Sequence, residues 1–288
     1  MKWRGRQSSS NVDDRRRSSG GGGFGGGGMP RMGIGGLILL AAITLLFGGN
    51  LGDVVRNINV GQPTSIEQKY TPSKEEDELA EFSKVVLKDT EDVWNDIFPK
   101  YNREYQEPVM VLYTGSVNSG CGYASAQVGP FYCPADSKVY IDLSFYKDLR
   151  TKFGAEGDFA FAYVIAHEVG HHVQNQLGIA DQINRLRQQL PEKEFNKYSV
   201  AMELQADYLA GVFASYQQNK GYLEHGDIEE AMNAANAIGD DTLQRRGQGH
   251  VVPDSFTHGT SAQRMEWFEK GYQAGDLSEW DTFAALGL

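Results

Sequence analysis

The chain has 288 residues, 40% of them hydrophobic and 23% charged, which excludes a wholly disordered or fibrous protein and leaves room for one full domain with appendages. Its net charge of −11 is unevenly spread: residues 1–31 carry seven Lys and Arg against two Asp, a net +5, so the remainder is −16. An acidic body of this kind lacks the Lys and Arg density on which nucleic-acid affinity rests, and this argues against nucleic acid as a partner.

In chain order, residues 1–31 form a basic leader rich in Ser and Gly, including Gly20–Gly23, Phe24 and Gly25–Gly28. So few apolar side chains predict a flexible, disordered stretch. Residues 32–52 follow, 21 uncharged residues with an apolar centre from Leu37 to Phe47, bracketed by Arg31 and Asp53. This length suits one transmembrane helix, although its glycines leave only 11 strongly apolar residues at the centre. Positive charge lies almost wholly before it, so the positive-inside rule predicts a single-pass signal anchor in the inner (cytoplasmic) membrane. The leader would then be cytoplasmic and everything after Asp53 periplasmic or otherwise extracytoplasmic. A cleaved signal peptide and a buried core helix are the competing readings of the same segment.

Residues 53–72 read as a polar linker and residues 73–288 as one α+β domain. A helical pattern spans about Ser73 to Phe98, with Leu79, Phe82, Val86, Val93 and Ile97 on one face and the acidic run Glu75–Glu78 in its first turns. Pro108–Tyr113 and Lys138–Leu143 read as short strands. Three more helices are expected near Asp158–Leu177, Glu192–Gln218 and Ser261–Tyr272, and no internal repeat is present. Between the strands lie Cys121 and Cys133, either one bridge or two free thiols depending on compartment; an extracytoplasmic position favours the disulfide.

The chemistry concentrates in His167-Glu168-Val169-Gly170-His171. Histidines four apart on a helix share a face, so both imidazoles can reach one zinc ion, while the Glu between them can take a proton from the bound water. Phe161, Ile165, Val169 and Val173 form an apolar stripe on the other side of this helix. Zinc needs a third protein ligand, and Glu203 is the candidate, within Glu203-Leu204-Gln205-Ala206-Asp207 of a helix otherwise rich in apolar residues. Asp207, one turn on, would accept the second ring hydrogen of a zinc-bound histidine. His172 falls off the zinc face and reads as a supporting or surface group, and His225 and His250 as solvent-facing.

HEVGHH followed by ELQAD resembles the gluzincin metallopeptidases, in which an HExxH helix is completed by a Glu with an Asp four residues later. The longer phrases GPFYCPADSKVYIDLSFY, FAYVIAHEVGHHVQNQLG and ELQADYLAGVFA are similar to the bacterial neutral zinc metallopeptidases of the YpfJ type, over nearly the whole chain. The resemblance implies a zincin-like fold with a small sheet and several helices, one zinc per chain, and a peptide or protein substrate. His258 and Arg264 resemble a His-Pro…Arg element of membrane-associated gluzincins. That likeness implies an oxyanion-stabilising His258 and an Arg264 paired with a carboxylate such as Asp207. Gly259 stands where those relatives have Pro, which predicts a looser loop. In zincins an edge strand above the metal pairs with substrate backbone, and Lys138–Leu143 is the candidate, with an ordinary internal strand as the alternative. The resulting expectation is a membrane-anchored zinc metallopeptidase; the alternative is a zinc-binding chaperone-like or scaffold module with little hydrolytic activity.

Overall fold

The computed structural model describes residues 1–17 and 70–288. The leader is the first departure from expectation. Its described part is folded onto the domain, with Val12–Asp14 forming strand β1. The remainder of the leader, the apolar segment at 32–52 and most of the linker lie outside the described residues. Among the described residues no helix is long and apolar enough to cross a membrane.

Helix α1 spans Lys74–Ile97 and begins where the acidic run suggests, with Ser73 as N-cap and a reciprocal capping box to Glu76. The Ser73 hydroxyl accepts from the Glu76 amide, and the Glu76 carboxylate accepts from the Ser73 amide, which satisfies two otherwise orphaned donors. Strands β2 (Val109–Tyr113), β3 (Ser116–Ser119), β4 (Gly122–Ser125), β5 (Phe131–Cys133) and β6 (Lys138–Asp142) follow. The main sheet has the order β1-β2-β6-β5, parallel except that β5 runs antiparallel to β6. Strand β6 is therefore internal, paired on both sides, which decides between the two readings of Lys138–Leu143 in favour of the ordinary internal strand; the edge beside it is β5. β3 and β4 form a separate antiparallel hairpin, and Cys121 and Cys133 are joined in a disulfide that ties its turn to β5, with Cα atoms 5.7 Å apart.

After α2 (Ser144–Asp148) come the helices that build the core: α3 (Asp158–Gln176), α4 (Ile179–Arg187), α5 (Glu192–Asn219), α6 (Asp227–Ala237), α7 (Asp240–Gln248), α8 (Ser261–Ala274) and α9 (Thr282–Ala285). The expected one-sided stripe on α3 is replaced by burial all round, every residue from Phe159 to Gln174 being buried. A helix enclosed on all sides must satisfy each of its polar groups internally, and that requirement shapes the site below.

Helix α8 crosses α5 at a pair of glycines. A Cβ at Gly211 would overlap the Phe268 carbonyl oxygen, and one at Gly271 would overlap that of Tyr208. Only hydrogen at both positions allows the two backbones to approach so closely, and that approach brings Arg264 of α8 against Asp207 of α5.

Candidate metal centre

Helices α3 and α5 run against each other, with Gly170 of the HEVGH segment facing Ala206 so closely that a Cβ there would lie 3.1 Å from the Ala206 carbonyl oxygen. Across this contact His167, His171 and Glu203 bring one ligand atom each to within 4.8 Å of one another, all three buried. His167 Nε2 lies 3.2 Å from Glu203 Oε2 and His171 Nε2 lies 3.4 Å from Glu203 Oε1.

The far nitrogen of each imidazole is fixed by a separate acceptor. His167 Nδ1 faces Asp207 Oδ1 at 2.9 Å, and His171 Nδ1 faces Gln174 Oε1 at 2.8 Å. Gln174 is itself held, its amide donating to the Met202 carbonyl and to Gln205 Oε1. An acceptor at Nδ1 selects the tautomer with the proton there, which leaves the Nε2 lone pair of each ring free to ligate. Two imidazole Nε2 atoms and one carboxylate constitute a zinc donor set, so the residues present fit the metal.

Behind the histidines lies a closed polar network. Arg264 donates to Asp207 through Nε at 2.8 Å and through NH2 at 2.9 Å, a two-pronged pair with neither partner exposed. The Tyr163 hydroxyl donates to Asp207 Oδ1 and accepts from Arg264. Burial alone would raise the Asp207 carboxyl, but the Arg264 guanidinium and His167 hold it below the usual range. Burial alone would lower His167, yet the Asp207 and Glu203 carboxylates push it up to about 9. Glu203 is likewise held well below the ordinary carboxylate range: burial opposes this, and the histidines, including His258, outweigh it.

Glu168 is the one acidic side chain of this cluster whose carboxyl is pushed up. Burial is the chief cause, offset in part by His171 and His167. The backbone of Tyr132 in β5 contributes a small lowering, so the edge strand runs beside this side chain.

His258 is buried beside the centre, close enough for its charge to contribute to lowering Glu203. Its Nδ1 faces Asp240 Oδ1 at 3.1 Å. The other oxygen of Asp240 accepts from the amides of Thr257, His258 and Gly259, at 2.7, 2.6 and 3.1 Å. Gly259 has φ of +88°, which proline cannot adopt, and proline would also lack the donated N–H. The loop expected to be loose is therefore pinned at three consecutive amides, and the departure from Pro is what permits it.

The structure thus brings together every residue expected at the site: His167, Glu168, His171, Glu203, Asp207, His258 and Arg264. Sequence reasoning did not find Tyr163, Gln174 or Asp240; of these, Tyr163 and Gln174 carried a local signal, a polar group one turn before His167 and one turn after His171. His172 turns out to be buried, bound through Nδ1 to the Tyr132 hydroxyl and through Nε2 to the Gln106 carbonyl. His225 and His250 are exposed, as expected.

An HExxH helix completed by a glutamate from a second helix is an arrangement that zinc metallopeptidases use. The sequence model of one family, described as "Putative neutral zinc metallopeptidase", matches residues 1–283, and the chain belongs to that family. It is 53% identical to the "Uncharacterized protein YpfJ" of Escherichia coli strain K12 over 98% of this chain and 99% of that protein. It is 45% identical to the "Uncharacterized protein Rv2575" of Mycobacterium tuberculosis over 68% of each. No solved structure matches.

Proposed function

We propose that the chain is a zinc-dependent peptidase of zincin-like architecture that hydrolyses peptide bonds with Glu168 as general base. The observation that carries this reading is the division of labour between two buried carboxylates: Glu203 closes on both Nε2 atoms, while Glu168, on the same helix as the histidines, stands outside that ligand set with a raised affinity for protons. A structural zinc site has no use for such a base.

His167, His171 and Glu203 would hold the ion, whose charge polarises the scissile carbonyl and acidifies water. Glu168 takes the proton of the attacking water and later delivers it to the leaving amine, a cycle favoured by a carboxyl whose proton affinity lies above the ordinary range. His258, locked by Asp240 at Nδ1, directs Nε2 to the carbonyl oxygen as it gains negative charge. The open edge of β5 beside Glu168 offers main-chain partners to an extended peptide, so recognition rests on backbone more than on side chains. The Cys121–Cys133 bridge supports an extracytoplasmic, oxidising setting for the domain.

The test is metal exchange on the purified full chain. Chelation should remove one zinc per chain and abolish peptide turnover, and stoichiometric zinc should restore it. Turnover that persists in metal-free protein would overturn the proposal.

A further inference from the structure

The first residue of the chain occupies a built site. The Met1 α-ammonium is fully enclosed and pairs with Asp158 Oδ1 at 2.6 Å, Asp227 Oδ1 at 3.3 Å and Glu224 Oε2 at 3.3 Å. Asp158 opens helix α3, the helix of the two zinc-site histidines, and Asp227 opens α6. The Met1 side chain is buried in the main core. Downstream, the Lys2 amide donates to the Tyr222 carbonyl, Trp3 packs edge-on against Phe82, and Arg6 pairs with Asp89 while lying over the Tyr222 ring. The Ser9 hydroxyl donates to Glu91, and β1 adds a parallel strand to β2 with Val12, Asp13 and Asp14 opposite Met110, Val111 and Leu112. Arg16, almost wholly buried, closes the segment against Asp14 and Asp77.

We infer that residues 1–17 are a permanent part of the domain and lie on the same side of any bilayer as residues 70–288. Two consequences follow. The mature chain keeps residues 1–17, because cleavage near residue 50 would strip β2 of its outer partner and leave Asp89 buried without Arg6. The ends of the described segments also lie on one side of any bilayer. A single crossing between residues 17 and 70 would separate β1 from β2 by about 30 Å of hydrocarbon, which their ladder forbids. The N-inside, domain-outside orientation expected from charge is incompatible with this packing. The match of the family to residues 1–283 takes in residues 1–17 together with the domain.

The carboxylate pair also answers a question of charge. Burial pushes Asp158 above the ordinary carboxylate range, and the α-ammonium pulls it back. The ammonium is in turn stabilised in its charged form, its pKa raised because the hydrogen bonds and charges of the surrounding carboxylates outweigh the cost of burial.

The test uses the full-length chain in its native cell with one exposed probe on each part, Ser10→Cys and, separately, Gln188→Cys, labelled by a membrane-impermeant maleimide in intact cells and after lysis. Both positions should label from the same side, and intact-mass analysis of the purified chain should show residues 1–17 retained. Labelling from opposite sides, or a mature N-terminus near Asn50, would overturn the inference. Arg6→Ala supplies a second readout that does not depend on membranes: it leaves Asp89 buried without its cation and should lower the melting temperature by roughly 5–10 °C. An unchanged melting temperature would contradict the packing of the leader on the domain.

Discussion

Two regions of this molecule hold charged groups in opposite ways. Around α3, α5 and α8, the charges are sealed: Asp207 and Arg264 have essentially no exposure, and Tyr163, His167 and Glu203 close every remaining direction. Around Arg16, at the end of the leader's described part, the ion pairs sit at the rim. Arg16 is buried, but its partners Asp14 and Asp77 are 34% and 49% exposed. Burial makes the first set indispensable to one another, because an uncompensated charge there has no water to turn to, whereas solvent screens the second set. Both regions attach strands and helices to the same core, yet only the sealed one can hold a ring to the tautomer that metal binding needs.

The largest effect is expected where the seal is broken. Arg264→Ala leaves the Asp207 carboxylate buried without its cation and should cost about 3–5 kcal/mol, or about 10 °C in melting temperature for a domain of this size, read by thermal denaturation. Cys121→Ser with Cys133→Ser removes a short loop closure near β5 and should cost roughly 3 kcal/mol by the same measurement. Gly211→Ala drives α8 away from α5 and should cost about 1–3 kcal/mol. At the rim, Arg16→Ala should cost only about 1 kcal/mol, because its partners are half solvated. If Arg16→Ala proved as harmful as Arg264→Ala, the contrast between sealed and screened charges would collapse.

A pH series sharpens the same comparison. His167 is raised from its ordinary 6.5 to about 9 in the metal-free protein. Its contribution to stability is complete below pH 6.5 and is lost as pH rises through about 9. Glu203 and Asp207, held below their ordinary range, keep their contributions throughout that window. The melting temperature of metal-free protein should therefore fall between pH 6.5 and 9. The zinc-loaded protein should hold its value, because the ion takes the place of the proton, and zinc affinity should rise with pH. A flat profile for the metal-free protein would show that Asp207 does not charge His167.

The metal centre was legible in the sequence because helix periodicity alone sets its geometry: His167 and His171 share a face, and so do Glu203 and Asp207. Arg264 needed the family likeness, since its meeting with Asp207 depends on the glycine crossing of α5 and α8. Asp240 was not legible at all. Its carboxylate reads as an ordinary first-turn acid, and only the return of the 257–259 loop over α7 reveals three amides converging on it. The edge strand was missed because β5 has three residues inside a Cys- and Gly-containing loop, too short for alternation to show. The leader was misread for a different reason. The glycine runs after residue 19 dominate its composition, while Met1, Trp3, Arg6 and Val12 each find a partner far along the chain.

The central claim is that ligand and base are separate roles on one helix, and zinc content measured together with turnover in Glu168→Gln tests it most directly. The substitution keeps the shape of the side chain and removes only its capacity to take a proton. The account predicts one zinc per chain by elemental analysis, an unchanged melting temperature and a loss of peptide turnover of about 100-fold or more. Wild-type turnover in that variant, or loss of the metal with it, would contradict the assignment of Glu168 as general base.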